Sequence, residues 1–137
     1  MKKDHFKIEE KNGAQLIYDP FRKKQVVLTP EEWVRQQILD YLVTEKKYPA
    51  SMISVEKQIK VGNLNKRYDV LIYQKETPWM IIECKEENEV LNDKALHQLL
   101  SYNSILKVSF LVITNGHQLH CYDVTNSTWN NSFPAYL

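Results

Sequence analysis

The chain is 137 residues long and 43% of them are apolar, which is enough for a buried core, so we expect a single domain over residues 1–137. The formal net charge of +1 excludes a basic field over the whole molecule and leaves only a local surface for any contact with nucleic acid. Two cysteines exclude a disulfide framework, and no apolar run approaches the ~18 residues of a membrane span, so we expect a cytoplasmic protein that does not enter a membrane.

The N-terminal part is expected to form a small hairpin. Residues 1–13 are charged and polar, so we expect them to be mobile or loosely attached. Short β-like runs at residues 16–18 and 25–28 flank a turn that contains Pro20. Two such runs around a turn predict an antiparallel pair of strands.

A helix should follow, beginning at Thr29 and continuing to about residue 47. Thr29 suits the N-cap, Pro30 suits the first helical position, and Glu32 completes the spacing of a capping box. The apolar stripe of this helix consists of four residues: Val34, Ile38, Tyr41 and Leu42. Glu31 lies on the side of that stripe and should point inward, whereas Glu32 is turned about 100° away from it. Both acids also suit the positive end of a helix.

Three β-strands are expected in the middle of the chain, at residues 52–61, 68–73 and 79–84. Alternation in the first should place five residues on one side: Ile53, Val55, Lys57, Ile59 and Val61. The second and third are apolar runs, and each is interrupted by one acid, Asp69 and Glu83 respectively. The polar connector between these two runs predicts a hairpin.

The register of that hairpin determines what the two acids can do. A hairpin centred on Glu76 places three pairs opposite each other: Tyr73 and Trp79, Leu71 and Ile81, and Asp69 and Glu83. Opposed residues have Cβ atoms about 4.5–5.5 Å apart, so the two carboxylates would repel each other unless a positive charge lies between them. Lys85 follows Glu83 by two positions and therefore projects from the same face. This arrangement suits a divalent metal and an activated water, and an ordinary surface cluster of acids and a lysine is the alternative.

A second helix is expected over residues 91–107, with Asn92 or Asp93 as its N-cap. Gln98 and Tyr102 are neighbours on its surface because they are four positions apart. A polar flank without a function would explain this pair equally well.

The C-terminal part should add two strands. Residues 108–114 form a continuous apolar run, and the strand-helix-strand order predicts that this strand runs parallel to the one at residues 79–84. Residues 118–124 should return as an edge strand after the Asn115-Gly116 turn. We expect residues 125–137 to be a C-terminal tail whose aromatic side chains pack on the domain or on a partner.

The acids and the lysine of the central hairpin resemble a known signature. Asp69, followed by Glu83-Cys84-Lys85 at the end of an apolar strand, resembles that of PD-(D/E)XK nucleases, although Tyr68 stands where the motif has proline. Three further segments occur in the same order as in the N-terminal nuclease domain of type I restriction enzyme R proteins: residues 30–36, 98–102 and 111–116. The resemblance covers roughly residues 16–124. It implies an α/β fold in which a restriction-endonuclease-like mixed β-sheet is flanked by α-helices.

The resemblance also implies a Mg²⁺-dependent DNA endonuclease, with Mn²⁺ as a substitute metal. It implies that Asp69 and Glu83 hold the metal, with the Cys84 carbonyl as a third ligand. Lys85 would orient the attacking water and offset phosphate charge, and Glu31 would assist through a second metal or a bound water. Gln98 and Tyr102 would form an auxiliary pair that touches the site or the DNA backbone.

Two other functions remain open from the sequence. The chain could be a non-catalytic DNA-binding or assembly module that retains the nuclease fold, although the presence of Asp69, Glu83 and Lys85 argues against this. It could also be an interaction domain that uses Trp129 and Phe133 to join a larger complex. The expected partners are DNA and other restriction-modification subunits, and a homodimer is also compatible with the sequence. No glycine-rich nucleotide-binding loop occurs, so the chain itself should not translocate DNA.

Overall fold

The computed structural model describes residues 5–137, which form two sheets and two α-helices. The N-terminal sheet is antiparallel and consists of β1 (Ile8–Lys11), β2 (Ala14–Asp19) and β3 (Lys24–Val27). The helices are α1 (Pro30–Thr44) and α2 (Asp93–Ser101). The main sheet has six strands in chain order: β4 (Ile53–Val61), β5 (Leu64–Gln74), β6 (Thr77–Cys84), β7 (Phe110–Thr114), β8 (Leu119–Asp123) and β9 (Thr128–Asn130).

The main sheet is mixed, as the sequence predicted. Strands β6 and β7 are parallel and are joined through α2, whereas the other neighbouring strands are antiparallel. A strand-helix-strand connection is what a parallel pair requires, because a short turn cannot join two strands that run in the same direction. The expectation of a mixed sheet flanked by helices is therefore confirmed.

Each face of the main sheet has its own apolar core. On the α1 face, Val34 and Leu42 of the helix pack with Val70 and Ile82 of the sheet. On the α2 face the buried residues include five that matter below: Tyr68, Leu71, Ile81, Leu99 and Tyr102. We use the terms α1 face and α2 face for these two sides of the sheet.

The β5–β6 hairpin has the expected register over most of its length, with Leu71 opposite Ile81. The prediction that Tyr73 faces Trp79 is wrong, because the register shifts between Ile72 and Tyr73 and brings Pro78 opposite Tyr73. Proline has no N–H to donate to the ladder, so an irregularity of this kind is where a strand accommodates it.

The prediction that one side of β4 carries all its odd-numbered residues is also wrong. Val55 packs against the α1 face and Ile59 against the α2 face. Between them Glu56 has a φ of +57°, a conformation that an L-residue seldom adopts within a strand. The pairing with β5 resumes beyond Glu56 at Lys57, so the strand continues but the alternation of its side chains slips.

The termini are more ordered than expected. Residues 8–11 form β1 instead of a loose segment, while the expectation for residues 1–4 lies outside the described residues. Strand β8 is not an edge strand, because β9 of the supposed tail pairs with it. Phe133 is buried against the α1 face and Trp129 is 43% exposed.

Both helices are shorter than expected. Helix α1 ends at Thr44 because Lys47 adopts a φ of +59° and the Tyr48 N–H turns back to the Leu42 carbonyl at 2.9 Å. Helix α2 ends at Ser101 and continues as a single 3₁₀ turn. Across residues 5–137 neither helix is long and apolar enough to cross a membrane.

Candidate active site

The structure brings Asp69 and Glu83 together where the pairing between β5 and β6 ends. The last paired residues of this ladder are Val70 and Ile82, so the two acids are the next residues along it. Asp69 Oδ2 accepts a hydrogen bond from the Cys84 backbone N–H at 2.9 Å. Asp69 and Glu83 lie close enough for their charges to interact, and burial together with the Asp69 carboxylate raises the pKa of Glu83.

Asp69 reaches this position because the side-chain alternation of β5 is interrupted there. Tyr68 packs on the α2 face and Val70 on the α1 face, although residues two apart in a regular strand share a face. The unpaired position opposite Asp69 is Glu56, the residue with positive φ. Backbone irregularities of this kind are often found beside active sites, where they redirect a side chain.

The environment of Glu83 favours its protonated form. Burial and the adjacent charge of Asp69 raise the pKa of Glu83 to about 8, although the positive charges of Lys85 and Lys66 act in the opposite direction. Without a bound cation, Glu83 therefore retains its proton near neutral pH.

Glu31 belongs to the same electrostatic neighbourhood but does not point inward. Its side chain is exposed, so the predicted orientation is wrong. Partial burial and the charge of Asp69 raise the pKa of Glu31, while Lys85 and Arg35 lower it. These interactions leave Glu31 beside the Asp69–Glu83 pair, at its solvent side.

Glu32, the neighbour of Glu31 in sequence, is the buried acid of α1. Arg35 donates to both of its oxygens, at 2.5 and 3.0 Å, and Arg22 donates to Oε1 at 2.7 Å. Gln36 Nε2 also donates to Oε2 at 3.0 Å. Burial alone would raise the pKa of Glu32, but these hydrogen bonds hold it below its usual value. Thr29 caps α1 as predicted, accepting from the Glu32 backbone N–H, whereas the Glu32 carboxylate is bound to these three side chains.

A cleft of about 380 Å³ opens on the α2 face beside Glu83, and Asp69 does not line it. Glu83 and Lys85 line it from the sheet, and Gln98 and Tyr102 line it from the α2 side. The structure thus brings the auxiliary pair and the E-x-K residues to one cleft. The Lys66 ammonium lies 4.3 Å from the centre of the Tyr102 ring, at the edge where β5 passes the cleft.

A family model described as type I restriction enzyme R protein N terminus (HSDR_N) matches residues 30–133, which is more than half of the chain. The chain belongs to this family. The fold is also similar to a fragment of a protein assigned as an HsdR subunit of a type I restriction enzyme from Vibrio vulnificus YJ016, with a TM-score of 0.62 and 24% identity. That match covers 79% of this chain but only 24% of the other, and at this identity it shows the fold alone. No curated protein matches the sequence closely enough for comparison.

Arg35 is a residue of this R-protein N-terminal domain that was not among the expected site residues. It forms an ion pair with Glu32. The opposite edge of its guanidinium faces the site, with Nη1 3.3 Å from Glu56 Oε1 and 3.7 Å from Asp69 Oδ1. The i,i+3 spacing of Glu32 and Arg35 is the sequence feature from which this ion pair could have been predicted.

The donor set fits a hydrated Mg²⁺ better than a metal enclosed by the protein. Among the described residues no three His, Cys, Asp or Glu side chains form a ready-made metal site. Mg²⁺ commonly takes only one or two carboxylates and keeps several waters, which is what Asp69 and Glu83 can offer. The buried Cys84 thiol has its pKa raised by burial and lies among the apolar residues of the α1 face, so only the carbonyl of Cys84 remains as a plausible ligand.

Proposed function

We propose that the chain is a Mg²⁺-dependent DNA endonuclease domain of the PD-(D/E)XK type that hydrolyses phosphodiester bonds. The observation that carries this proposal is the Asp69–Glu83 pair: the two acids come directly after the last paired residues of the β5–β6 ladder, and Asp69 accepts from the Cys84 N–H. Their repulsion has no structural benefit, since a buried like-charge pair costs stability unless a cation offsets it. Membership of the R-protein N-terminal family supports the same conclusion.

Asp69 and Glu83 would hold the cation, with the Cys84 carbonyl as a further oxygen ligand and Mn²⁺ as a substitute. The bound ion would lower the pKa of a water molecule and offset the charge of the scissile phosphate. Arg35 would hold Asp69 in place, because its guanidinium is itself fixed by Glu32 and lies 3.7 Å from Asp69 Oδ1.

Lys85 would position the water and the phosphate. It lines the cleft together with Glu83, and its ammonium group carries the positive charge that a phosphate oxygen requires. Gln98 and Tyr102 line the other side of the cleft and would contact the substrate backbone there. Glu31, beside Asp69, would bind a water or a second cation.

The chain spans 24% of the matched HsdR-type chain, so we propose that it acts together with other restriction-modification subunits. A non-catalytic DNA-binding or assembly module is the alternative. The side chains of the expected nuclease signature favour the enzyme, because the lysine of the E-x-K segment lines the cleft beside its glutamate.

The test is cleavage of supercoiled, linear and single-stranded DNA with Mg²⁺ or Mn²⁺. We expect Lys85→Ala to lose at least about 100-fold in rate, as is typical when a positioned charged group is removed from an active site. Lys75→Ala is the matched control, since Lys75 is exposed in the β5–β6 turn at the other end of the sheet. Circular dichroism should show that both variants are folded.

Wild-type protein that cleaves none of these substrates with either metal would favour the non-catalytic module. Cleavage that persists in Lys85→Ala would remove Lys85 from the mechanism and leave the two carboxylates as the centre of the proposal.

A further inference from the structure

The hairpin formed by β4 and β5 extends beyond the site and carries a local excess of positive charge. Residues 57–67 contain four cations and no acid: Lys57, Lys60, Lys66 and Arg67. The rest of the chain, with 14 cations and 17 acids, therefore has a net charge of −3. The overall charge of +1 conceals this separation, and we call residues 57–67 the cationic hairpin.

The charges of the cationic hairpin are available to a ligand. Lys57, Lys60 and Arg67 are exposed, and within the described residues neither lysine has an ion-pair partner. Arg67 reaches an acid only at 3.9 Å, from Nε to Glu56 Oε2, and its side chain is 64% exposed. An exposed pair of this length contributes little, so the guanidinium can exchange it for a phosphate.

The cationic hairpin is continuous with the candidate active site. Arg67 precedes Asp69 by two positions on β5. Lys66 lies over the Tyr102 ring at 4.3 Å, and Tyr102 lines the cleft that contains Glu83 and Lys85. A polyanion that contacts Lys66 would therefore lie beside the cleft that Glu83 and Lys85 line.

The side chains favour the backbone of a duplex over unstacked bases. Between residues 57 and 67 there is no aromatic side chain, and single strands are usually bound by stacking on aromatic rings. Lysine, arginine and amide side chains are the usual donors to phosphate oxygens, and the segment adds three amides: Gln58, Asn63 and Asn65. A two-stranded ribbon is also narrow enough to lie in a major groove about 12 Å wide.

We propose that the cationic hairpin binds the phosphate backbone of double-stranded DNA and holds the duplex against the site at Asp69 and Glu83. The choice of DNA rests on the proposed function, whereas the surface itself is identified by its charge and by its position beside the cleft. Neither the distant Lys75 nor Lys107 should share this role, because both lie toward the opposite end of the sheet, before β6 and β7 respectively.

The test is binding of a short fluorescein-labelled duplex, followed by fluorescence anisotropy with EDTA or Ca²⁺ in place of Mg²⁺. We expect Lys57→Gln/Lys60→Gln to bind about tenfold more weakly near 0.1 M salt and to reduce the slope of log K against log salt by about 2, since each phosphate contact contributes about 0.9. Lys75→Gln/Lys107→Gln removes the same charge elsewhere and should bind like wild type.

Circular dichroism checks that each variant is folded, and the single variant Lys60→Gln, at an exposed position, provides an independent measurement with an expected slope change of about 1. Equal binding by wild type and the hairpin variants would overturn the proposal, and so would wild-type protein that binds no duplex. Hairpin-dependent binding by a protein that cleaves nothing would retain the binding surface and contradict only the nuclease proposal.

Discussion

Glu32 is buried and Glu83 is half-buried, and their surroundings shift their pKa values in opposite directions. Arg35, Arg22 and Gln36 donate to Glu32 and keep it ionised. Glu83 is instead paired with another carboxyl group, and its pKa rises to about 8. The two acids lie in the same small domain, and Arg35 connects their surroundings because it contacts both Glu32 and Asp69.

The charges around Glu32 stabilise the fold, whereas we propose that the charges of Asp69 and Glu83 bind a ligand. The Glu32 cluster joins the N-terminal sheet to α1, since Arg22 also forms an ion pair with the fully buried Asp19. Each carboxylate there has a guanidinium partner, as burial of a charge requires. At the site, Glu83 lies beside another carboxyl group, so a bound cation would relieve the repulsion between Asp69 and Glu83.

Arg35→Met should have the largest effect, because it breaks the link between the two regions. The substitution leaves the buried Glu32 carboxylate with one guanidinium partner fewer. It also removes the guanidinium that contacts Asp69 and Glu56. We expect unfolding free energy in urea to fall by about 3–5 kcal/mol, the usual cost of removing one partner of a buried pair.

The control for Arg35→Met is Arg67→Met, which also removes a guanidinium beside Glu56. The Arg67 side chain is 64% exposed and its distance to Glu56 is 3.9 Å, so the loss should be less than about 1 kcal/mol. Equal losses in the two variants would show that the Glu32 cluster is not the structural charge network described here.

The pH dependence of stability should distinguish Glu83 from the paired acids. Its pKa is about 8 in the folded protein and about 4.3 in an unfolded chain, so the folded state binds more protons between these values. Unfolding free energy should therefore fall as pH rises from about 4.5 to about 8, by an amount on the order of 2 kcal/mol after allowance for solvent near the strand end.

This slope is measured by urea unfolding in EDTA, and Glu83→Gln should remove it. Glu76→Gln is the matched control, because Glu76 is exposed in the β5–β6 turn and should leave the slope unchanged. A flat profile for wild-type protein would mean that the Asp69–Glu83 pair does not retain a proton at neutral pH.

The sequence predicted much of the architecture because its strong local signals agree with the tertiary structure. Thr29 caps α1, Asn92 caps α2, and Leu71 faces Ile81, as the capping and hairpin patterns indicated. Period-two alternation could not predict that the side chains of β4 change face at Glu56. Glycine is the residue that usually marks a positive φ, and this position is a glutamate.

The sequence predicted that α1 forms, but it did not predict correctly which of its acidic side chains points inward. An apolar stripe was used to turn Glu31 inward, but Glu32 is the acid that is buried. Its burial depends on Arg22, which lies ten residues earlier, and on Arg35, and ion pairs across elements leave no periodic pattern in a sequence. The register of one hairpin was enough to predict that Asp69 and Glu83 converge, whereas the irregularity opposite Asp69 at Glu56 was not predicted.

Asp69→Asn removes one of the two like charges at the site. The amide oxygen can still accept from the Cys84 N–H, while the repulsion with Glu83 disappears. We expect the variant in EDTA to be more stable than wild type by roughly 0.5–2 kcal/mol, measured as an increase in melting temperature. Excess Mg²⁺ or Mn²⁺ should stabilise wild type by mass action and Asp69→Asn much less. A melting temperature that neither the metals nor the substitution raises would exclude the metal site.

Tyr68→Phe should have the smallest effect, and it tests whether polar groups beside the site are left unsatisfied. The Tyr68 hydroxyl is buried and has no hydrogen-bond partner among the described residues. Tyr48 is also buried, but its hydroxyl donates to the Pro134 carbonyl at 2.6 Å. Because an unpaired buried hydroxyl costs stability, Tyr68→Phe should stabilise the protein by about 0.5–1 kcal/mol, whereas Tyr48→Phe should destabilise it by about 1 kcal/mol. Urea unfolding of both variants gives the comparison, and a loss of stability in Tyr68→Phe would show that its hydroxyl has a partner, such as a water molecule bound beside Glu83.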